Sequence, residues 1–143
     1  MKKVLCLATA CFVLGVAAKA QQCDKTIKWT TTKSEFIDTS GNVQRTTDET
    51  VEVTVNAKKI DIVMQGPQGE ESMKGDVSDY ACNWKDSKNG KTVLKSTVTD
   101  TQGTVRHATV TIESLDGQAN ILLVAEEEAQ SIKLTVASVE EVK

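Results

Sequence analysis

Short runs in which apolar and polar residues alternate recur along most of this chain, and turn-forming residues separate them. The clearest run is Val51-Glu52-Val53-Thr54-Val55, with three valines on one side and two polar residues on the other. Because successive side chains of a β-strand point to opposite faces, this period of two predicts strands with one buried face. No stretch after residue 20 shows a convincing helical spacing. The chain is therefore predicted to be all-β.

About eight or nine strands are expected. The runs that predict them are residues 26–32 (extending to 37), 43–47, 51–55, 60–64, 77–85, 92–99, 104–113, 119–125 and 132–136. The run 119–125 is almost continuously apolar, which predicts a strand buried on both faces. Residues 70–75 are polar and are predicted to form a loop, and residues 126–130 are predicted to form a helical turn.

Turn residues between these runs indicate sequential hairpins. Residues 38–42, 66–69 and 100–103 and the pair Asp116-Gly117 are rich in Gly, Asp, Asn and Ser. Asn89-Gly90 predicts a tight turn, because a type I′ turn needs positive φ at both central residues. Consecutive antiparallel hairpins favour an up-and-down meander that closes as a barrel of about eight strands. A two-layer β-sandwich is the alternative.

The first 20 residues have the pattern of a secretory signal peptide. Lys2 and Lys3 precede a short apolar run, which ends in Ala18-Lys19-Ala20. The run is shorter than the roughly 20 residues that a spanning helix needs. We expect cleavage after Ala20, export to a periplasm or the extracellular space, and one all-β domain over residues 21–143. Lipidation at Cys11 is the alternative, although leucine is missing three residues before it.

Two cysteines, Cys23 and Cys82, remain once the leader is removed. An even count in an exported chain predicts one disulfide, which would stabilise the fold by roughly 4 kcal/mol through loop closure; two reduced, buried thiols are the alternative. Tyr80, Cys82 and Trp84 share one strand face, which we interpret as the centre of the core.

Hairpin order, the length of the chain after the leader and a tryptophan, Trp29, in the first strand resemble the lipocalin-like (calycin) barrels. That resemblance implies a cup for a small apolar molecule. Trp29, Tyr80 and Trp84 are then the candidate ligand-binding residues; the other interpretation is that all three are core.

A second, local resemblance favours the sandwich. Residues 76–82 resemble the D-x-x-x-Y-x-C run before the second cysteine of immunoglobulin domains. Trp29 follows Cys23 by only six residues, and about 60 residues follow Cys82, so both features depart from that family's pattern.

Charge and composition exclude several classes of function. Removing Lys2, Lys3 and Lys19 with the leader leaves 14 basic and 20 acidic residues, a net charge of −6. An acidic domain is not attracted to nucleic acid or to an anionic membrane surface. No later apolar run is long enough to cross a bilayer as a helix, so an integral membrane protein is not expected. With one histidine and two cysteines, neither a metal site nor a cofactor is predicted.

The residues show no catalytic set. His107 is the only histidine, and the alternation places it outside if Ala108, Val110 and Ile112 point inward. We therefore expect a non-catalytic exported barrel that binds or carries a small, mostly apolar ligand. A structural or protein-interaction module of the cell envelope is the alternative. A hydrolase using His107 or a pair of carboxylates is a third hypothesis.

Overall fold

The structure, a computed structural model, describes residues 23–143. The predicted signal peptide, with Cys6 and Cys11, lies outside the described residues. Within residues 23–143 no helix has the length and apolar character that a membrane crossing requires.

Nine antiparallel strands make up most of the described chain. They are β1 (Thr26–Ile37), β2 (Val43–Thr47), β3 (Thr50–Val55), β4 (Lys59–Gly66), β5 (Gly69–Asp86), β6 (Asn89–Asp100), β7 (Val105–Leu115), β8 (Gln118–Ala125) and β9 (Ser131–Val142). Each of β3 to β8 pairs with the strand that follows it, and β9 returns to pair with β1 along its whole length. The sheet is therefore a closed up-and-down barrel, which confirms the predicted fold class and not the sandwich.

β2 is an extra strand beside an eight-strand barrel. β9 occupies one edge of β1, so β2 and β3 share the other edge end to end, with Ser34 opposite Thr47 and Thr31 opposite Val51. β4 pairs with β3 but not with β2. The edge of β2 that faces away from β1 has no strand neighbour among the described residues.

The period-two pattern sets the core. Inward positions along the strands supply fifteen buried apolar residues: Ile27, Trp29, Val51, Val53, Val55, Ile60, Ile62, Trp84, Leu94, Val98, Val110, Ile112, Ala119, Ile121 and Leu134. Each large aliphatic or aromatic side chain buried in this way contributes about 1.5–3 kcal/mol to folding. The apolar stripes predicted in β1, β3, β4, β7 and β9 all face the interior.

The barrel has two different ends. We call the closed end the one that carries Cys23, the β5–β6 turn and the β7–β8 turn. The open end carries the connections β1–β2, β4–β5, β6–β7 and β8–β9. Both tryptophans lie toward the closed end, where their ring centroids are 5.8 Å apart.

The predicted turn at Asn89-Gly90 is wrong. The β5–β6 turn is at Ser87 and Lys88, and Asn89 and Gly90 open β6. Gly90 lies opposite Trp84, and a Cβ on it would meet the indole ring at 2.3 Å. The glycine is therefore needed for close packing and not for positive φ. A turn with positive φ at both central residues occurs instead at the predicted Asp116-Gly117, with φ of 52° and 83°.

Two further predictions need correction. Residues 70–75 are not a loop but the first part of β5, where backbone pairing with β4 from Gly66 opposite Gly69 holds the polar stretch extended. β8 is not buried on both faces: Ala119 and Ile121 are buried, while Val124 faces outward and is 39 % exposed. The wall of a single barrel buries only its inner face, and no second layer covers the outer face of β8 within residues 23–143. Residues 126–130 form a turn, in which Glu128 N donates to Ala125 O.

Candidate ligand cup at the open end of the barrel

The three predicted ligand-binding residues come together at the closed end. Trp29 and Trp84 are each 3 % exposed, and Trp84 Nε1 donates a hydrogen bond to Thr92 Oγ1 at 2.8 Å. Tyr80 is half-buried, and this burial raises the pKa of its phenol. The space left between these side chains is about 10 Å³, room for one water molecule at most. Trp29 and Trp84 belong to the buried core, and Tyr80 packs against it.

The predicted disulfide is present beside them. Cys23 and Cys82 are bonded, with their Cα atoms 5.8 Å apart and a sequence separation of 59. The bond joins the segment before β1 to the second half of β5. Tyr80 Oη also approaches Cys23 O at 3.5 Å, so the start of the described chain is fastened across the closed end.

The open end contains a cup of about 420 Å³. Its floor and walls are apolar side chains that point into the barrel from seven strands: Phe36, Ile62, Met64, Met73, Val98, Ala108, Leu123 and Ile132. Most of them are only half-buried, unlike the core residues one step further in.

Alternation and register build this cup. Met64 follows buried Ile62, and Leu123 follows buried Ile121, so each is the next inward position toward the open end. Cross-strand pairing sets Ile132 opposite both Phe36 and Leu123. Residues directly opposite each other in a sheet share a face, so these side chains converge on one space.

The space stays open because of the side chains available there. The closed end is filled by two indoles, whereas Ala108 is the inward residue of β7 at the open end. The one aromatic residue of the cup is Phe36, and the guanidinium of Arg45 lies 4.1 Å from the centroid of its ring. This cation–π contact lies at the wall of the cup.

The rim of the cup is polar and is fixed by ion pairs. Arg106 Nη1 lies 3.0 Å from Asp100 Oδ2, and its Nε lies 3.4 Å from Glu128 Oε1. Asp100 Oδ1 also accepts hydrogen bonds from the backbone N–H groups of Gln102 and Thr104. The Thr104 amide is the main cause of the lowered pKa of Asp100. Arg106 thus connects the β6–β7 turn to the β8–β9 loop across one side of the cup.

His107 ties the same loop down. Its Nδ1 lies 2.6 Å from Glu127 Oε1, and its backbone N–H donates to the same carboxylate. Glu127 raises the pKa of the imidazole through this hydrogen bond. The side chain is 57 % exposed, which confirms that it points outward. Within the described residues, no side chain forms a hydrogen bond with its other ring nitrogen, Nε2.

A second depression, of about 440 Å³, lies on the outer surface near the start of β4. Its charged residues pair with one another: Lys59 with Asp76, and Lys74 with Asp61 at 3.6 Å. It is shallow and lacks the convergent apolar lining of the cup. In the part of the chain that the structure describes, no three His, Cys, Asp or Glu side chains converge to hold a metal ion.

The residues that the sequence predicts as ligand-binding, Trp29, Tyr80 and Trp84, do not line this cup, and the sequence analysis did not identify Phe36, Met73 or Leu123. The alternating apolar runs of the sequence do indicate part of the lining of the cup. Met64, Ala108 and Ile132 are each the last apolar residue of an alternating run. Each lies at the end of its run that is nearest to one of the open-end connections. In a meander those connections lie at one end of the barrel, so the terminal residues meet there.

A comparison of this chain with protein-family models, with curated proteins and with solved structures found no match.

Proposed function

We propose that this protein is a non-catalytic, exported barrel of lipocalin-like type that binds a small, mostly apolar ligand in the open-end cup. The observation that carries the proposal is the cup: about 420 Å³, lined by half-buried apolar side chains and bordered by polar groups. Small-molecule sites are typically apolar concavities of about 300–1,000 Å³ with a few polar groups that orient the ligand.

Export is supported by two independent features. Residues 1–20 have the signal-peptide pattern, and Cys23 and Cys82 form a disulfide. Disulfides persist in oxidising compartments and are rare in the cytosol. A closed barrel with one accessible end suits a protein that carries a ligand outside the cytosol.

Binding of N-phenyl-1-naphthylamine, a neutral apolar fluorophore, tests the proposal. Ala108→Phe places a ring in the middle of the cup, and Ala81→Phe makes the same change on the exposed outer face of β5. We expect a saturable fluorescence increase that Ala108→Phe weakens at least tenfold and Ala81→Phe leaves unchanged.

Leu123→Gln is the second variant, since it keeps the size of the side chain and adds an amide to the lining of the cup. Circular dichroism and urea unfolding confirm that each variant folds. Equal binding by wild-type protein, Ala108→Phe and Leu123→Gln would contradict the proposal, and so would the absence of any saturable signal.

One observation favours a second candidate, a protein-interaction module. The outer edge of β2 has no strand neighbour among residues 23–143, and Val43 on it is 52 % exposed. An unpaired strand edge can accept an extended segment of another protein. A photo-crosslinker at Gln44, compared with one at Gln118 near the closed end, tests this in the source cells. A specific adduct from Gln44 alone supports it, and equal labelling from both positions contradicts it.

A further inference from the structure

The distribution of charge around the cup points to a class of ligand. We infer that the cup takes an amphiphile with a cationic head, such as an alkylammonium, whose apolar tail enters the barrel. This inference rests on the proposed function and adds the sign of the charge on the ligand.

The lining residues of the cup are acidic on balance. Three carboxylates, Glu71, Asp100 and Glu128, stand among them, and Arg106 is the one basic residue in the described lining. Arg106 already pairs with Asp100 at 3.0 Å and with Glu128 at 3.4 Å. An anionic head would therefore have to break an ion pair to reach it, while Glu71 has no ion-pair partner in the described chain.

The open-end connections carry the same sign. Residues 38–42, 67–68, 101–104 and 126–130 contain four acids and no Lys, Arg or His: Asp38, Glu126, Glu127 and Glu128. The basic groups near this end are Arg45, which lies on the ring of Phe36, and Arg106 and His107, which are paired with Glu128 and Glu127. Carboxylates thus outnumber basic groups around the mouth of the cup, which favours a positive charge there.

The apolar part of the cup fits the tail of such a molecule. Met64, Met73, Leu123 and Ile132 line it below the rim, and thioether side chains adapt to chains of different shape. One amphiphile can therefore contact both parts of the site, with its tail on the apolar lining and its cationic head beside the carboxylates of the rim.

Two amphiphiles with the same tail separate the charge of the head from the apolar contribution. Decyltrimethylammonium and decanoate are titrated by calorimetry as monomers, below the concentrations at which they form micelles. We expect the cation to bind at least threefold more tightly at low salt, and the ratio to approach one at 1 M salt, where exposed charges are screened.

Glu71→Gln should weaken binding of the cation by roughly 1.5- to 5-fold, the range expected for one exposed ion pair. Glu113→Gln makes the same change in net charge on the outside of β7, where Glu113 pairs with Lys91, and should have no effect. Decanoate binding as tightly as the cation would overturn this inference and leave the proposed cup intact. If neither amphiphile binds and the fluorophore does not bind either, the proposed function fails with it.

Discussion

The indole of Trp84 lies across Gly90 on the neighbouring strand, and this one contact explains the residue at position 90. The closest approach of a Cβ there would be 2.3 Å, to the ring of a side chain that is itself packed against Trp29. Movement of the indole away from a Cβ at position 90 would disturb its stacking on Trp29. The closed end therefore depends on a residue without a side chain.

Gly90→Ala is predicted to lower the free energy of unfolding by about 1–3 kcal/mol, the usual effect of overpacking a core. Gly66→Ala is the matched control, because a Cβ at Gly66 meets nothing closer than 3.8 Å. The control should change stability by less than about 1 kcal/mol. Urea unfolding measures both variants, and equal effects would show that the Trp84 contact is unimportant.

His107 gives a prediction for pH. Because Glu127 accepts a hydrogen bond from the imidazole, the folded-state pKa of His107 lies above its unfolded value of about 6.5. The stabilisation is therefore fully present below about pH 6.5 and is lost as pH rises through the folded-state pKa. The chain has one histidine, so a single imidazole resonance in an NMR titration reports this pKa directly.

Glu127→Gln should bring that pKa back toward 6.5, while Glu113→Gln on the same strand as His107 should leave it unchanged. A wild-type pKa at or below 6.5, or one that Glu127→Gln does not move, would contradict the pairing.

At the scale of single elements, β5 connects the two ends of the barrel. Its first part pairs with β4, from Gly69 to Asp76, and contributes Met73 to the cup. From Val77 to Asp86 it pairs with β6 but with no strand on its other side in the described chain. Cys82 lies in that second part, so the disulfide to Cys23 fastens a stretch of β5 that has one strand neighbour.

Replacing both cysteines with alanine is predicted to lower the free energy of unfolding by about 2–5 kcal/mol. Amide exchange should increase most in residues 78–86 and at the start of β1, and least at the residues that line the cup. Reduced wild-type protein provides the control and should show the same loss. A loss below about 1 kcal/mol, or exchange that rises equally along the chain, would contradict this role of the disulfide.

At the scale of the whole molecule, the barrel was more predictable than the cup. The run 51–55 predicts β3 because one face of that strand is buried in the barrel and the other faces solvent, which imposes the alternation. The run 70–75 does not predict the start of β5, because there the strand is held by backbone pairing with β4, which leaves no mark in the side-chain pattern. The Asn89-Gly90 prediction fails because glycine serves two purposes, positive φ and close packing, and composition does not separate them.

The cup depends on where the large side chains meet in three dimensions. Trp29 is in the first half of β1 and Trp84 near the end of β5, and antiparallel pairing brings both to the closed end. The sequence predicts the aromatic residues Trp29, Tyr80 and Trp84 as the candidate site, whereas the cup lies at the other end of the barrel, which the indoles do not reach. A cavity forms where no large side chains meet, and which side chains meet can be seen only once the register of the strands is known.

The position of a bound apolar molecule tests this account most directly. Met64 and Met73 lie in the cup, and both tryptophans of the chain lie at the other end. An NMR titration with N-phenyl-1-naphthylamine should shift the methyl resonances of the two methionines saturably and leave the indole N–H resonances of Trp29 and Trp84 in place. Indole shifts without methionine shifts, or no saturable shift at either end, would contradict a ligand cup at the open end.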